Sequence, residues 1–154
     1  PFISWKSHAQ VNDLLPLNRR DKTCFTGAAK AWKKALSQAE MKIEDLDFVE
    51  THDCFTIAEL LEYEAIGLSE QGKGAQVIEE GMTTKDGSLP VNPSGGLKSK
   101  GHPIGATGVS MHVMAAMQLS GEAEGMQIEK AVKGAVFNMG GAAVANYVSI
   151  LETR

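Results

Sequence analysis

Asn92-Pro93-Ser94-Gly95-Gly96-Leu97-Lys98-Ser99-Lys100-Gly101-His102-Pro103-Ile104-Gly105-Ala106-Thr107-Gly108 is the stretch that decides how this chain folds. Glycines at 95, 96, 101, 105 and 108 surround a single histidine, His102, with Pro103 directly behind it. Glycine lets backbone approach backbone or a ligand closely. Proline is favoured at the first helical position, where its missing N–H would be orphaned anyway. The pattern predicts a glycine-rich loop that delivers His102 to the start of an apolar helix over residues 103–119. A titratable ring among free amide donors is the setting of an acid–base residue.

Working outward, residues 134–139 and 144–150 read as two strands, with Gly140-Gly141 as the hairpin signal between them. Residues 2–9 and 46–51 read as further strands. From 23 to 39, Phe25, Ala28, Ala29, Trp32, Ala35, Leu36 and Ala39 recur at helical spacing, with Lys30, Lys33 and Lys34 elsewhere. Thr56-Ile57-Ala58-Glu59 fits a capping box opening a helix that stops near Gly67, and a weaker helix covers 74–80. A turn at 84–88 and one more strand complete the order β-α-β-α-α-β-α-β-β. That order predicts an α/β fold: a single domain over residues 1–154, its mixed β-sheet layered with α-helices and carrying an antiparallel edge.

Composition narrows the function classes. A net charge of −4 gives no reason to expect nucleic acid or an anionic membrane as partner. No apolar run approaches the roughly 20 residues of a membrane span. Cys24 and Cys54 are too few for a disulfide framework, which points to a reducing, cytoplasmic compartment. The chain opens on Pro1-Phe2-Ile3 as though entering a strand, so it is expected to belong to something longer.

His52-Asp53-Cys54-Phe55 sits where a buried strand ends and a helix is about to begin. Ligand sites in α/β folds gather at the carboxyl ends of strands. A cysteine before a helix N-terminus is expected to have its thiolate favoured by the local dipole. A neutral His102 accepts a proton from a thiol or donates an N–H to an oxyanion, depending on tautomer. Gly140 in the Asn138-Met139-Gly140-Gly141 turn is a candidate amide donor to an oxyanion. His8, His112 and Cys24 read as structural, Met111, Met114 and Met117 as core filling, and Lys98 with Lys100 as a solvated loop pair. No metal site is expected.

Together these motifs resemble the C-terminal half of the thiolase superfamily. Residues 101–108 match the family's histidine motif and residues 92–96 its lead-in. His52-Asp53-Cys54-Phe55 is similar to the version found in the sterol-carrier-protein-2 (SCP-x) type branch, which replaces the Asn-Glu-Ala-Phe of ordinary thiolases. The resemblance covers nearly the whole chain and implies a layered thiolase half-fold.

It also implies roles. His102 would activate a nucleophilic cysteine and help hold the thioester oxygen, with His52 completing that oxyanion hole through a water. Asn138 stands where ordinary thiolases carry their second catalytic cysteine, and Cys54 would supply that acid–base function instead. Gly140 would serve the second oxyanion hole. The implied reaction is acyl transfer between coenzyme A and a 3-ketoacyl-CoA, or the reverse Claisen condensation, in lipid metabolism. Coenzyme A is then a substrate, with no permanently bound cofactor. The implied partners are the N-terminal thiolase half, which holds the acyl-accepting cysteine, and further copies of the full-length protein in a homo-oligomer. The isolated chain is expected to be inactive. Two other functions fit the same residues: a non-catalytic assembly module with this fold, and a Cys-His hydrolase using Cys54 as nucleophile and His102 as base.

Overall fold

The computed structural model describes residues 2–154. Four strands form one sheet in the order β1 (Ile3–Asn12), β4 (Ala145–Thr153), β3 (Lys133–Gly140) and β2 (Phe48–Glu50). The β1–β4 and β4–β3 pairs are antiparallel, whereas β2 runs parallel to β3 with Phe48 opposite Gly134. This is the expected mixed sheet with an antiparallel edge. A side chain at 134 would overlap the Phe48 ring, so glycine there lets the aromatic lie across the neighbouring strand.

Alternation along the strands sends side chains to two apolar layers. Val49, Ala135, Phe137, Val148 and Ile150 face α1 (Thr26–Ala39) and α2 (Thr56–Ile66), packing with Trp32 and Tyr63. Phe48, Val136 and Leu151 face the opposite layer, where α5 (Thr107–Ser120) supplies Met111, Ala115 and Leu119. Two shorter helices, α3 (Gly74–Glu79) and α4 (Gly96–Lys100), lie between α2 and α5 in sequence.

Several expectations change. The extra strand before the histidine helix is a single bridge, Val91 to Val49. Pro90 and Pro93 flank it, and a residue without an N–H cannot extend a ladder. Helix α5 begins at Thr107, not Pro103; Pro103 instead closes a turn, its carbonyl accepting from the Ala106 and Thr107 amides. No capping box opens α2: Phe55 is the N-cap, and Glu59 is drawn off to Tyr63 and Lys98. Gly140 is the last residue of β3, paired with Ala145, and the hairpin turns through residues 141–144. Met111 alone of the methionine stripe is fully buried. Among the described residues no helix is long and apolar enough to cross a membrane.

Candidate active site

Because β2 and β3 are parallel, their carboxyl ends open at the same edge of the sheet, where α/β folds place ligands. Past Glu50 the chain makes two tight bends, the Asp53 amide reaching Thr51 O and the Cys54 amide reaching His52 O. Those bends set His52 and Cys54 beside the end of β3, which contributes Asn138 and Gly140. His102 arrives from the glycine loop. A cleft of about 890 Å³ is lined by His52, Cys54, His102, Asn138 and Gly140 together with Phe55, Ile104 and Val109. All five residues singled out from the sequence therefore meet in one place. Cys24 does not; it bonds Thr26 elsewhere.

The hydrogen bonds fix the tautomers. His52 Nδ1 lies 2.6 Å from Asn138 Oδ1, an atom that only accepts, so His52 donates from Nδ1 and leaves Nε2 as a lone pair. Asn138 reaches this position because residue 108 is glycine: a side chain there would stand 2.9 Å from Asn138 Nδ2. The Thr107 hydroxyl spends its hydrogen on Pro103 O at 3.0 Å and so accepts from His102 Nδ1 at 2.7 Å. His102 likewise keeps Nε2 free. The two rings meet edge to face, 4.8 Å apart at 88°. Burial foremost holds His52 below the ordinary histidine pKa, and neighbouring His102 adds to this, while the Asn138 bond works against it. His52 is neutral at neutral pH.

Cys54 corrects the sequence expectation. Burial first, then the nearby Glu62 carboxyl, push its thiol above the usual cysteine value, so it is not a ready thiolate. The cysteine stands two residues ahead of α2, and desolvation outweighs any help from the helix end. Glu62 itself is buried on α2, and its carboxyl is pushed well up by that burial although Thr51 Oγ1 donates to it at 2.5 Å.

The lead-in to the glycine loop works as a clamp on the His52 strand end. Asn92 Oδ1 accepts from the Thr51 amide at 2.8 Å, and buried Asp53 accepts from the Leu97 amide at 2.6 Å. Gly95 and Gly96 take φ of +84° and +67°, and a Cβ on Gly96 would lie 2.7 Å from Asp53 Cγ. Lys98 is exposed as expected but ion-paired, bonding Glu59 and lying 3.9 Å from Asp53, whereas Lys100 is not a solvated residue: it bonds Glu50 and Ser94. Sequence reasoning missed Glu50 and Glu62, since an acidic residue in a strand or helix carries no local mark of burial. His112 is structural as expected, bonded to Gly108 O and Ser149 Oγ and stacked on Trp5, though it also lines the cleft. No group of three or more His, Cys, Asp or Glu is set to hold a metal among the described residues.

The rim is apolar and open. Trp5, Phe55, Ile104 and Val109 are 60%, 70%, 92% and 68% exposed around this cleft. Exposed apolar side chains gathered at one place mark an interaction surface.

Comparison with known proteins places the chain in a family. An acetyl-CoA acetyltransferase of Methanothermobacter thermautotrophicus is 44% identical over 137 residues, 88% of this chain and 36% of that protein. Human sterol carrier protein 2 is 42% identical over 116 residues, 75% of this chain and 21% of that protein. The chain thus spans about a third or less of these relatives. A solved structure described as an Ltp2-ChsH2(DUF35) aldolase superposes with a TM-score of 0.86 at 19% identity, over 98% of this chain and 39% of that one, and shares the fold. The family described as thiolase C-terminal domain-like matches residues 9–153, and the chain belongs to it.

Proposed function

We propose that this domain is one wall of an acyl-CoA acyltransferase site, completed by a thiolase N-terminal half that brings the acyl-accepting cysteine. The observation that carries the proposal is the meeting of two histidine rings, each bonded through Nδ1, with one cysteine in an apolar-rimmed cleft. The likeness to an acetyl-CoA acetyltransferase supports the chemistry.

In thiolysis of a 3-ketoacyl-CoA, His102 Nε2 takes the proton from the partner half's cysteine. The thiolate attacks the keto carbon, and His102, now cationic, keeps that proton and directs it as a hydrogen bond at the thioester oxygen, leaving the tetrahedral alkoxide to collapse. A water donating one hydrogen to His52 Nε2 has its other hydrogen available for the thioester oxygen. Cleavage of the bond between the two carbons leaves an enolate, which the Cys54 thiol protonates. A thiol held above its usual pKa keeps that proton at neutral pH, which suits an acid better than a nucleophile. This disfavours a hydrolase built on Cys54. Coenzyme A then gives its thiol proton to the Cys54 thiolate and attacks the acyl carbon, and the departing partner cysteine takes back the proton held on His102. Gly140, at the open end of β3 with no neighbour within 4 Å of a Cβ position, is proposed to present its amide to the second oxyanion.

The test is to incubate the full-length protein carrying this chain with acetyl-CoA and map the acylated cysteine by peptide mass. Label on a cysteine outside residues 2–154 is expected; stoichiometric label on Cys54 overturns the proposal.

A further inference from the structure

We propose that Lys100, bridged through Ser94 to Glu50, is a positioning residue that sets the spacing between the His52 and His102 rings. This rests on the proposal that the two histidines work as one site, but it concerns their geometry and is read without any activity.

Glu50 ends β2 two residues before His52, and Lys100 ends α4 two residues before His102. Glu50 is fully buried. Its Oε1 accepts from the Ser94 amide at 3.2 Å, and its Oε2 accepts from the Ser94 hydroxyl at 2.6 Å. Lys100 Nζ donates to Ser94 Oγ at 2.9 Å and lies 3.3 Å from Glu50 Oε2. A buried carboxylate needs a cation and hydrogen bonds, and here both come from the glycine-loop segment. The end of α4 is thereby fastened to the end of β2, each two residues along the chain from its histidine.

Little else holds His102. Gly101 joins it to α4 at φ +91° and ψ 164°, a conformation open to glycine, and nothing lies within 4 Å of a Cβ placed there. Residues 101–106 are exposed. The bond from His102 Nδ1 to Thr107 fixes the ring from the downstream side, and the Lys100 tie fixes the chain from the upstream side. His52 is held separately, by Asn138 and by the Asp53–Leu97 bond next to it. Removing the Lys100 tie is therefore expected to move His102 while leaving His52 seated.

The experiment is histidine-ring NMR on the 154-residue chain, comparing wild type, Lys100→Met and the charge-balanced pair Glu50→Gln/Lys100→Met. In wild type the edge-to-face contact displaces a ring proton upfield of its free-imidazole position. Both variants are expected to lose that displacement while the core methyl spectrum stays dispersed. Should Lys100→Met alone unfold around the bare carboxylate, the double variant decides, because it removes both charges. Retention of the upfield shift in the folded double variant overturns the proposal and leaves Lys100 as mere compensation for Glu50. Failure of the acyltransferase assignment leaves this readout unchanged.

Discussion

Replacing Gly96 with alanine tests the clamp that seats His52, and its cost is worked from two separate terms. Gly96 has φ +67°, and an L-residue in the left-handed region costs about 1–2 kcal/mol. The new Cβ would also lie 2.7 Å from Asp53 Cγ, so the carboxylate must move off the Leu97 amide it now meets at 2.6 Å. A hydrogen bond to a charged group contributes about 1.5–3 kcal/mol. The sum is a loss of about 2.5–5 kcal/mol, a large share of a domain's stability. Gly121→Ala is the matched control: φ is +76° there, with nothing within 4 Å of the added atom, so only the first term applies. Urea denaturation followed by far-ultraviolet circular dichroism measures both. Gly96→Ala is expected to lose about 1.5–3 kcal/mol more than Gly121→Ala, and to shift the His52 ring signals as well. Equal losses, with His52 unmoved, refute the reasoning.

Three further outcomes are expected. Glu62 is protonated in the folded chain over a range where the unfolded chain has ionised it, so its contribution is complete below the ordinary carboxylate pKa and is lost as pH rises through the folded value. Glu62→Gln should therefore stabilise the domain at neutral pH and do little in acid; denaturation midpoints at the two pH values check this. Iodoacetamide labelling of Cys54 should show a midpoint above that of a free thiol, falling in Glu62→Gln, and an unshifted midpoint in that variant excludes Glu62 as a cause. His52 has the opposite linkage: its folded pKa is depressed, so stability is complete above the ordinary histidine value and declines as pH falls through the window below it. His52→Gln should flatten that decline, which a pH series of urea melts will reveal.

The helix with one apolar stripe and the β3–β4 hairpin were legible because their marks, helical spacing in one and a Gly-Gly turn between two strand-like runs in the other, are local. Phe25, Trp32, Ala35 and Ala39 repeat at helical spacing whatever surrounds them, and α1 ends at Ala39 as the spacing predicts. That His52, Cys54, His102, Asn138 and Gly140 line one cleft was legible for another reason: each stands at a strand end or in a glycine loop, where α/β folds gather side chains. What failed depended on long-range partners. Glu59 fits a capping box until Tyr63 and Lys98 compete for it, and Lys100 reads as solvated until a buried Glu50 lies within reach. The direction of the Cys54 shift was misread because the helix dipole is visible in sequence, whereas burial and Glu62 on the next helix are not.

The most direct test of the central claim is acetoacetyl-CoA cleavage by coenzyme A. It is to be measured for the 154-residue chain alone, for the full-length protein carrying it, and for that protein with His102→Ala. The chain alone should be inactive and the full-length protein active. Loss of a general base costs about 10²–10⁴ in rate, and His102→Ala should fall by that much. Undiminished cleavage in His102→Ala, or cleavage by the isolated chain at the full-length rate, contradicts a site with one wall here and the other in a partner half.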